Sequence, residues 1–572
     1  MSLQSTKVSI TRRGRIARFA PIVAWLPHYD RGWLRADVIA GLTLWGLVVP
    51  EAMAYAGIAG LPPNAGLYTL LTALLVYAIF GSSRHLVMQA TAATAALLAG
   101  TIFSFGVSAA DPVRYQAYAS ALVIVTGLVF LAAALARLGF ITQFLSKPVM
   151  DGFVTGLAIF VAIGQLNKLF GVERGEGNTL IKLLEIIRQL PEANWVTFAV
   201  GASALALLFV LPRLNKQLPA GLVVLFGFIA LSWSLDLSGR FGVAVVGVLP
   251  AGLPALTWPQ IPLLAWAQMV LPAIGILLVA YSEALGVARE FAEKHGYEVD
   301  PDQELYAHAF ANIASGLFGG MLASGSMSAS AVKEGAGARS QVTNLVTWGA
   351  ALVTVLFLTP LFAPLPEAVL AALIIHAVWH IIVARKLQQV RLVSHTEFWL
   401  GALALAGVLL IDVLQGMMIG LVASLLLVIY RSSQPHLSSL GRAPGSADIF
   451  ADLERHPENQ PVPGVLILRL DAPMYYANAL TFRRQVNELV AANAPQAVVF
   501  DTAAQDALDI TSAEVLKGLV QELMHKGITV RAAGVHAPVL DMARRTSLLD
   551  AIGDDAIFPT VAEAVQSLGG RP

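Results

Sequence analysis

From about Ala36 to Tyr430 the chain is a succession of apolar blocks separated by short polar breaks, and the blocks run to roughly 17–25 residues, the length at which a helix crosses a hydrocarbon core. They fall near 36–58, 62–80, 86–101, 115–136, 148–170, 194–212 and 219–235, then near 270–290, 304–319, 327–337, 341–362, 365–383, 396–412 and 414–430. This pattern predicts a polytopic α-helical membrane protein with fourteen spans in two sets of seven. After Arg431 the pattern becomes that of a soluble protein. There 465–470, 497–501 and 528–533 read as strands, alternating with helices near 479–493, 511–526 and 536–547, as in an α/β sandwich. The expected division is a tail over 1–35, a fourteen-span domain over 36–430, a linker over 431–460 and a soluble domain over 461–570.

Composition agrees with a membrane protein, since 56% of the 572 residues are hydrophobic and only 13% are charged. A soluble fold cannot hide that much apolar surface. Net formal charge is zero, so nothing pulls the chain toward nucleic acid. Cysteine is absent, which excludes disulfides and thiolate metal sites. The basic N-terminus has no short apolar core and no cleavage site, unlike a secretory signal. Its cluster at Arg12, Arg13, Arg15, Arg18, Arg31 and Arg35 predicts a cytoplasmic N-terminus by the positive-inside rule. An even span count then puts the soluble domain in the cytoplasm too, and the expected location is the cell (inner) membrane. Arg84, Arg137, Lys147, Arg213, Lys216, Arg289, Lys294, Arg339, Arg385, Lys386 and Arg391 fall on the same side under this assignment. Fewer basic residues, chiefly Arg114, Arg174, Lys182, Arg188 and Arg240, fall outside.

Two spans stand apart. Blocks 86–101 and 327–337 are short, rich in Ala, Ser, Thr and Gly, and preceded by residues suited to extended chain; they hold the same place in each set of seven. Paired interrupted segments at matching positions point to a transporter site, because a half-helix starting near the midplane offers free N–H groups to an anion. Small residues also serve close helix packing, which is the competing reading. Pro50-Glu51-Ala52-Met53-Ala54-Tyr55-Ala56 in the first block further resembles Ser282-Glu283-Ala284-Leu285-Gly286-Val287-Ala288 in the eighth. A carboxylate inside a span is costly, so Glu51 and Glu283 are expected to face a cavity or a partner. The anion is expected between segments beginning near Gln89 and Ser326, with Glu51, Gln89, Ala90, Thr91, Ser324, Gly325, Ser326, Met327, Ser328 and Lys333 around it. Glu283 is expected to carry the coupling proton.

Several stretches are specific enough to identify a family. Ala40-Gly41-Leu42-Thr43, Val49-Pro50-Glu51-Ala52-Met53-Ala54-Tyr55-Ala56, Gly60-Leu61-Pro62-Pro63 and Gly66-Leu67-Tyr68 resemble the first-span signature of the SulP or solute-carrier-26 anion transporters. Gly81-Ser82-Ser83-Arg84 resembles the approach to that family's third span; Gly319-Gly320-Met321, Ala331-Val332 and Gly335-Ala336-Gly337-Ala338-Arg339 resemble the borders of its tenth. The resemblance implies a core and a gate domain built as a seven-plus-seven inverted repeat, with an anion held between spans 1, 3, 8 and 10. It also implies a C-terminal STAS domain, in which Thr511 and Ser512 stand where related antagonists carry a phosphorylatable hydroxyl. Helix capping is the alternative role for both. At the site the chain departs from the family pattern: Glu51 replaces a Gln, Gln89-Ala90 a Gly-Pro, Ala329 an Arg and Lys333 an Asn. Lys333, one turn beyond Ala329, is expected to restore positive charge on that helix face.

The function expected is secondary active transport of sulfate or a similar small inorganic anion, coupled to protons or sodium. A bicarbonate, chloride or dicarboxylate carrier of the same family, a nucleobase permease and a membrane sensor are the alternatives. An enzyme is not indicated, for the sequence has no Walker loop, His-Glu-x-x-His helix or G-x-S-x-G elbow. His376 and His380, one turn apart, read as structural, and neither metal nor cofactor is expected. A homodimer is expected from the family resemblance, the soluble domain and the apolar 396–430 hairpin.

Overall fold

The computed structural model describes residues 19–569, apart from 109–110, 141–145, 174, 176–177, 215–219, 249–251 and 383–384, and apart from the side chains of 380–388. Arg12, Arg13, Arg15, Arg18, Arg174 and Lys216, and the side chains of His380, Arg385 and Lys386, thus lie outside the described part. The chain divides into two compact units, Met1–Ser424 and Leu425–Pro572.

A helix occupies each apolar block. In chain order these are α1 (Leu34–Ile58), α2 (Pro63–Phe80), α3 (Ala92–Ser104), α4 (Pro112–Leu135), α5 (Lys147–Phe170), α6 (Trp195–Leu214) and α7 (Ala220–Leu235). The second set is α8 (Val270–His295), α9 (Pro301–Leu317), α10 (Met327–Gly335), α11 (Val342–Val353), α12 (Glu367–Ile382), α13 (His395–Leu410) and α14 (Val413–Ser433). Among the described residues 8 helices are long and apolar enough to cross a membrane unaided, while α3, α7, α12 and α13 are apolar but shorter. Local chemistry sets the ends. Pro63, Pro112 and Pro301 stand at helix starts, where a missing N–H has no consequence, and Gly171 and Gly296 close α5 and α8 in the left-handed conformation.

The helices approach closely through small residues, as expected where no hydrophobic force drives them together in lipid. A Cβ on Gly66 of α2 would stand 1.9 Å from the Ala52 carbonyl oxygen of α1, and one on Gly152 of α5 would stand 2.0 Å from that of Gly401 in α13. Outward faces carry exposed Leu128, Leu207, Trp233, Leu271, Phe357 and Trp399, a surface suited to hydrocarbon rather than water.

Both short helices are preceded by strands. β1 (Val87–Gln89) leads into α3 and β2 (Ser324–Ser326) into α10, and the two strands pair antiparallel, Val87 facing Ser326 and Gln89 facing Ser324. The third apolar block is therefore part strand, its helix beginning at Ala92 rather than near 86. Each half repeats one order: a long helix with a glutamate, a second helix, a three-residue strand and a short helix.

Two buried carboxylates brace this arrangement. Glu304 of α9 accepts from the Ser82 amide (2.8 Å) and hydroxyl (2.7 Å) and from the Tyr77 hydroxyl (3.0 Å), catching the turn that feeds β1. Asp37, in the first turn of α1, accepts from the amides of Arg339 (2.7 Å) and Ser340 (3.2 Å) and from the Thr343 hydroxyl (2.9 Å), fixing the chain just after α10. Three or more donors satisfy each carboxylate, which is what a buried charge requires.

The second unit is a sheet of six strands flanked by helices. To the strands β5 (Val465–Leu470), β6 (Ala497–Asp501) and β7 (Thr529–Ala533) the structure adds β3 (Leu437–Arg442), β4 (Phe450–Asp452) and β8 (Ile557–Phe558). Their order is β4-β3-β5-β6-β7-β8, parallel from β5 to β8 and antiparallel at β3 and β4. Alternation along β5 sends Leu466, Leu468 and Leu470 into the core shared with α15 (Ala479–Asn493) and α16 (Ile510–His525), and Ile467 to the opposite face. Segment 431–460, expected as linker, thus contains two strands of the sheet; Leu437–Arg442 is rich in Ser and Gly, so its period-2 signal is weak.

Candidate functional site

The β1–β2 pair is the centre of the candidate site. Its six residues are buried, and two half-helices start from its ends. Thr91 caps α3 through a reciprocal box with Thr94: each side chain accepts from the other's amide. Ser326 caps α10, its Oγ accepting from the Ala329 amide at 3.3 Å. A cap of this kind satisfies one or two of the orphan amides at a helix start and leaves the others. Here the first two of each helix, on Ala92 and Ala93 and on Met327 and Ser328, meet no capping side chain among the described residues. Each helix start also carries roughly half a positive elementary charge. Four free donors and two helix dipoles suit an anion.

Side chains tie the strands to their surroundings. Ser330 Oγ accepts from the Val87 amide at 2.9 Å, so α10 holds β1, and Asn312 of α9 pairs with both backbone groups of Ala323 (2.9 and 3.0 Å) just before β2. Ser324 Oγ donates to the Ala280 carbonyl of α8 at 2.8 Å. Gly325 lies so close to α8 that a Cβ there would meet that of Ala284 at 2.8 Å. These contacts set β2 against the turn of α8 that carries Glu283.

Most of the residues expected at the site converge. Gln89 Nε2 donates to Glu51 Oε2 at 3.0 Å and approaches Ser326 Oγ at 3.4 Å, and Ser326 Oγ lies 3.2 Å from Ser328 Oγ. Gln89 Oε1 is buried with no partner among the described residues. Ala90 and Thr91 are buried between the strand and the start of α3. Met327, Ser328, Ala331 and Gly335 form an open face along α10, and on α8 Gly286 opens to free space one turn beyond half-buried Glu283. Among the described residues Glu283 meets no hydrogen-bond or ion-pair partner. Both it and Glu51 lie within electrostatic reach of the Tyr55 hydroxyl, a site neighbour that sequence reasoning did not single out.

Lys333 lies elsewhere than its spacing suggested. It shares the packed face of α10 with Ala329, and its fully buried ammonium donates to Asn344 Oδ1 of α11 at 3.0 Å, not toward the helix start. The donor field is therefore mainly backbone. Among the described residues no cluster of three or more His, Asp or Glu side chains is arranged to hold a metal ion. His376 stacks edge-on against Phe209 (4.8 Å), consistent with a packing role.

In the second unit Asp509, and not Thr511 or Ser512, caps α16, accepting from the Ser512 amide at 2.8 Å while its other oxygen accepts from the Tyr476 amide at 2.7 Å. Capping falls to the residue before the helix, and α16 begins at Ile510. Thr511 is exposed and Ser512 fully buried.

Comparison with known proteins matches this architecture. The profile of the sulfate permease family matches residues 34–404 and that of the STAS domain residues 456–564. A probable sulfate transporter of Mycobacterium tuberculosis (strain CDC 1551) is 35% identical over 558 residues, 97% of this chain and 99% of that protein. Human solute carrier family 26 member 6 is 33% identical over 80% of this chain and 63% of its own length. Among solved structures, the murine solute carrier 26 family member A9 anion transporter in its inward-facing state superposes with a TM-score of 0.91, at 22% identity, over 100% of this chain and 97% of that one. The transmembrane domain of a cyanobacterial bicarbonate transporter gives 0.60 at 25% identity, over 69% and 98%.

Proposed function

The chain belongs to the sulfate permease family and carries anions across a membrane, and from that premise we propose that its cargo is sulfate or a similar small inorganic anion, taken up by proton-coupled secondary transport. The observation that bears most on this reading is the paired strand with a half-helix leaving each end, whose unpartnered amides form a donor set for an anion. Glu283 is the coupling carboxylate of the proposal, being partnerless and beside β2. The two like-ordered halves are read as an inverted repeat forming core and gate. In this reading the membrane is the cell membrane, with the N-terminus and the STAS domain in the cytoplasm. A nucleobase carrier would call for a free carboxylate on α10; the one there, Glu334, accepts from Lys294 at 2.8 Å and lies 3.0 Å from His295.

Purified protein in sealed vesicles, offered labelled sulfate, bicarbonate, chloride, nitrate, a dicarboxylate and uracil under imposed pH or sodium gradients, tests the proposal. Uptake of an inorganic anion driven by an inward proton gradient is expected. Uptake of uracil alone, or of none of these, would refute it. We further propose a homodimer, on the family resemblance and the apolar α13–α14 hairpin. Native mass measurement is expected to give twice the 60.6 kDa chain mass in mild detergent. A lone monomer across several detergents would count against the dimer.

A further inference from the structure

We propose that Glu51 is a second proton-binding carboxylate of the transport cycle, so that each anion moves with two protons, one on Glu283 and one on Glu51. This rests on the proton-coupled reading above and extends it to stoichiometry.

Charge around the strand pair is unbalanced. Two helix starts supply roughly one positive elementary charge between them. Among the described residues no cation adds to it: position 329 is alanine, Lys333 is turned to Asn344, and Lys168 of α5, which comes near α1 at Gly57, is paired with Glu367 of α12 at 3.1 Å. The groups placed about Glu51 are Gln89, which donates to it, Ser326, which Gln89 also approaches, and Tyr55 on its own helix, which lies within electrostatic reach of both Glu51 and Glu283. None of these is a cation. With both glutamates ionised the site is negative before any cargo arrives, and an arriving anion meets two like charges. One proton removes only half of that repulsion. Two protons leave the helix starts free to hold the anion.

The partner of Glu51 suits both of its protonation states. A carboxylate needs a donor and a carboxylic acid needs an acceptor, and a primary amide has both. Gln89 gives Nε2 to Glu51, while its Oε1, buried in the same place, has no donor. A half-turn of the amide presents Oε1 to a protonated Glu51 and exchanges the two ends without moving the backbone. Gln89 can therefore bond either form of Glu51. Glu283 has no such partner among the described residues and is half-buried one turn from the open space at Gly286, through which its proton exchanges.

The consequence is electrical. A proton enters each carboxyl from the outside medium and leaves to the inside with the anion, so sulfate with two protons moves no net charge. In Glu51→Gln one proton remains, and each cycle carries one net negative charge inward. By linkage, proton and anion affinities rise together at both carboxyls.

The test uses full-length protein in vesicles with labelled sulfate. At clamped zero potential the parent should accumulate about a hundredfold for each pH unit imposed and Glu51→Gln about tenfold, since each coupled proton contributes one power of ten. Uptake by Glu51→Gln should also respond to membrane potential, while the parent's should not. Proton uptake on sulfate binding in weakly buffered detergent at pH 8 gives an independent check on the parent: two protons per sulfate are expected, and one in Glu283→Gln. A parent slope of tenfold per pH unit, or equal slopes in parent and Glu51→Gln, overturns the second proton and leaves the proton-coupled reading standing. Sulfate uptake with no proton dependence in any variant removes both.

Discussion

Glu283→Gln protein in sealed vesicles should still bind and exchange the anion, yet lose about a tenfold factor of accumulation for each pH unit of an inward proton gradient, the share of one coupled proton. The glutamine keeps the shape of a protonated glutamate and cannot release the proton, so the cycle runs without that coupling. Three features of α8 favour this residue. Among the described residues it has no partner that would fix its charge, and the helix opens to free space at Gly286 beside it. It also sits on the turn that β2 touches, through Ser324 and Gly325. Accumulation is measured with the potential clamped, so that only the proton gradient drives it. An unchanged pH dependence in Glu283→Gln would exclude the residue from coupling.

Ser328→Trp should abolish anion binding while the protein still folds. Ser328 lies on the open face of α10, and its amide is one of the two left free at that helix start. An indole there would cover the Met327 and Ser328 donors. A hydrogen bond to a charged group contributes about 1.5–3 kcal/mol, so losing two should weaken binding by roughly a hundredfold or more. Ser328→Ala keeps both amides and should bind nearly as the parent does. Ligand-induced thermal stabilisation reads binding directly, and an unshifted melting curve without ligand reports the fold. If Ser328→Trp is stabilised by sulfate as strongly as the parent, the anion binds somewhere else. Ser326 is less suited to this test because its hydroxyl also caps α10, so replacing it would weaken the helix start, by about 1 kcal/mol.

What the chain reveals before folding depends on the range of the interaction. Each apolar block contains a helix because span length is set by hydrocarbon thickness, a property a window of residues records. The short third and tenth blocks were legible as interruptions, but the antiparallel pairing of Val87–Gln89 with Ser324–Ser326 joins residues more than two hundred positions apart, and three residues carry too little alternation to predict it. Asp37 and Glu304 were illegible for a similar reason: their donors come from distant turns, and only the fold collects them. Lys333 shows the limit of helical spacing. Four residues place it on the face of Ala329, but whether that face looks into the cavity or into the protein depends on how α10 is rotated, which Asn344, Ser330 and the strands decide. In the second unit the parallel strands were legible as runs of Val, Ile and Phe, whereas β3 has two serines and a glycine and was hidden.

The pairing of β1 with β2 also has a mechanical meaning. Main-chain hydrogen bonds between short buried strands, reinforced by Ser330 on the Val87 amide and Asn312 on Ala323, form a stiff joint between the two halves of the first unit. A joint built this way resists shear. Sliding α3 past α10 would break several buried main-chain bonds at once. Under the proposed transport cycle, the two helix starts are then expected to move together as a single load, with the compliance lying in the helices that surround them.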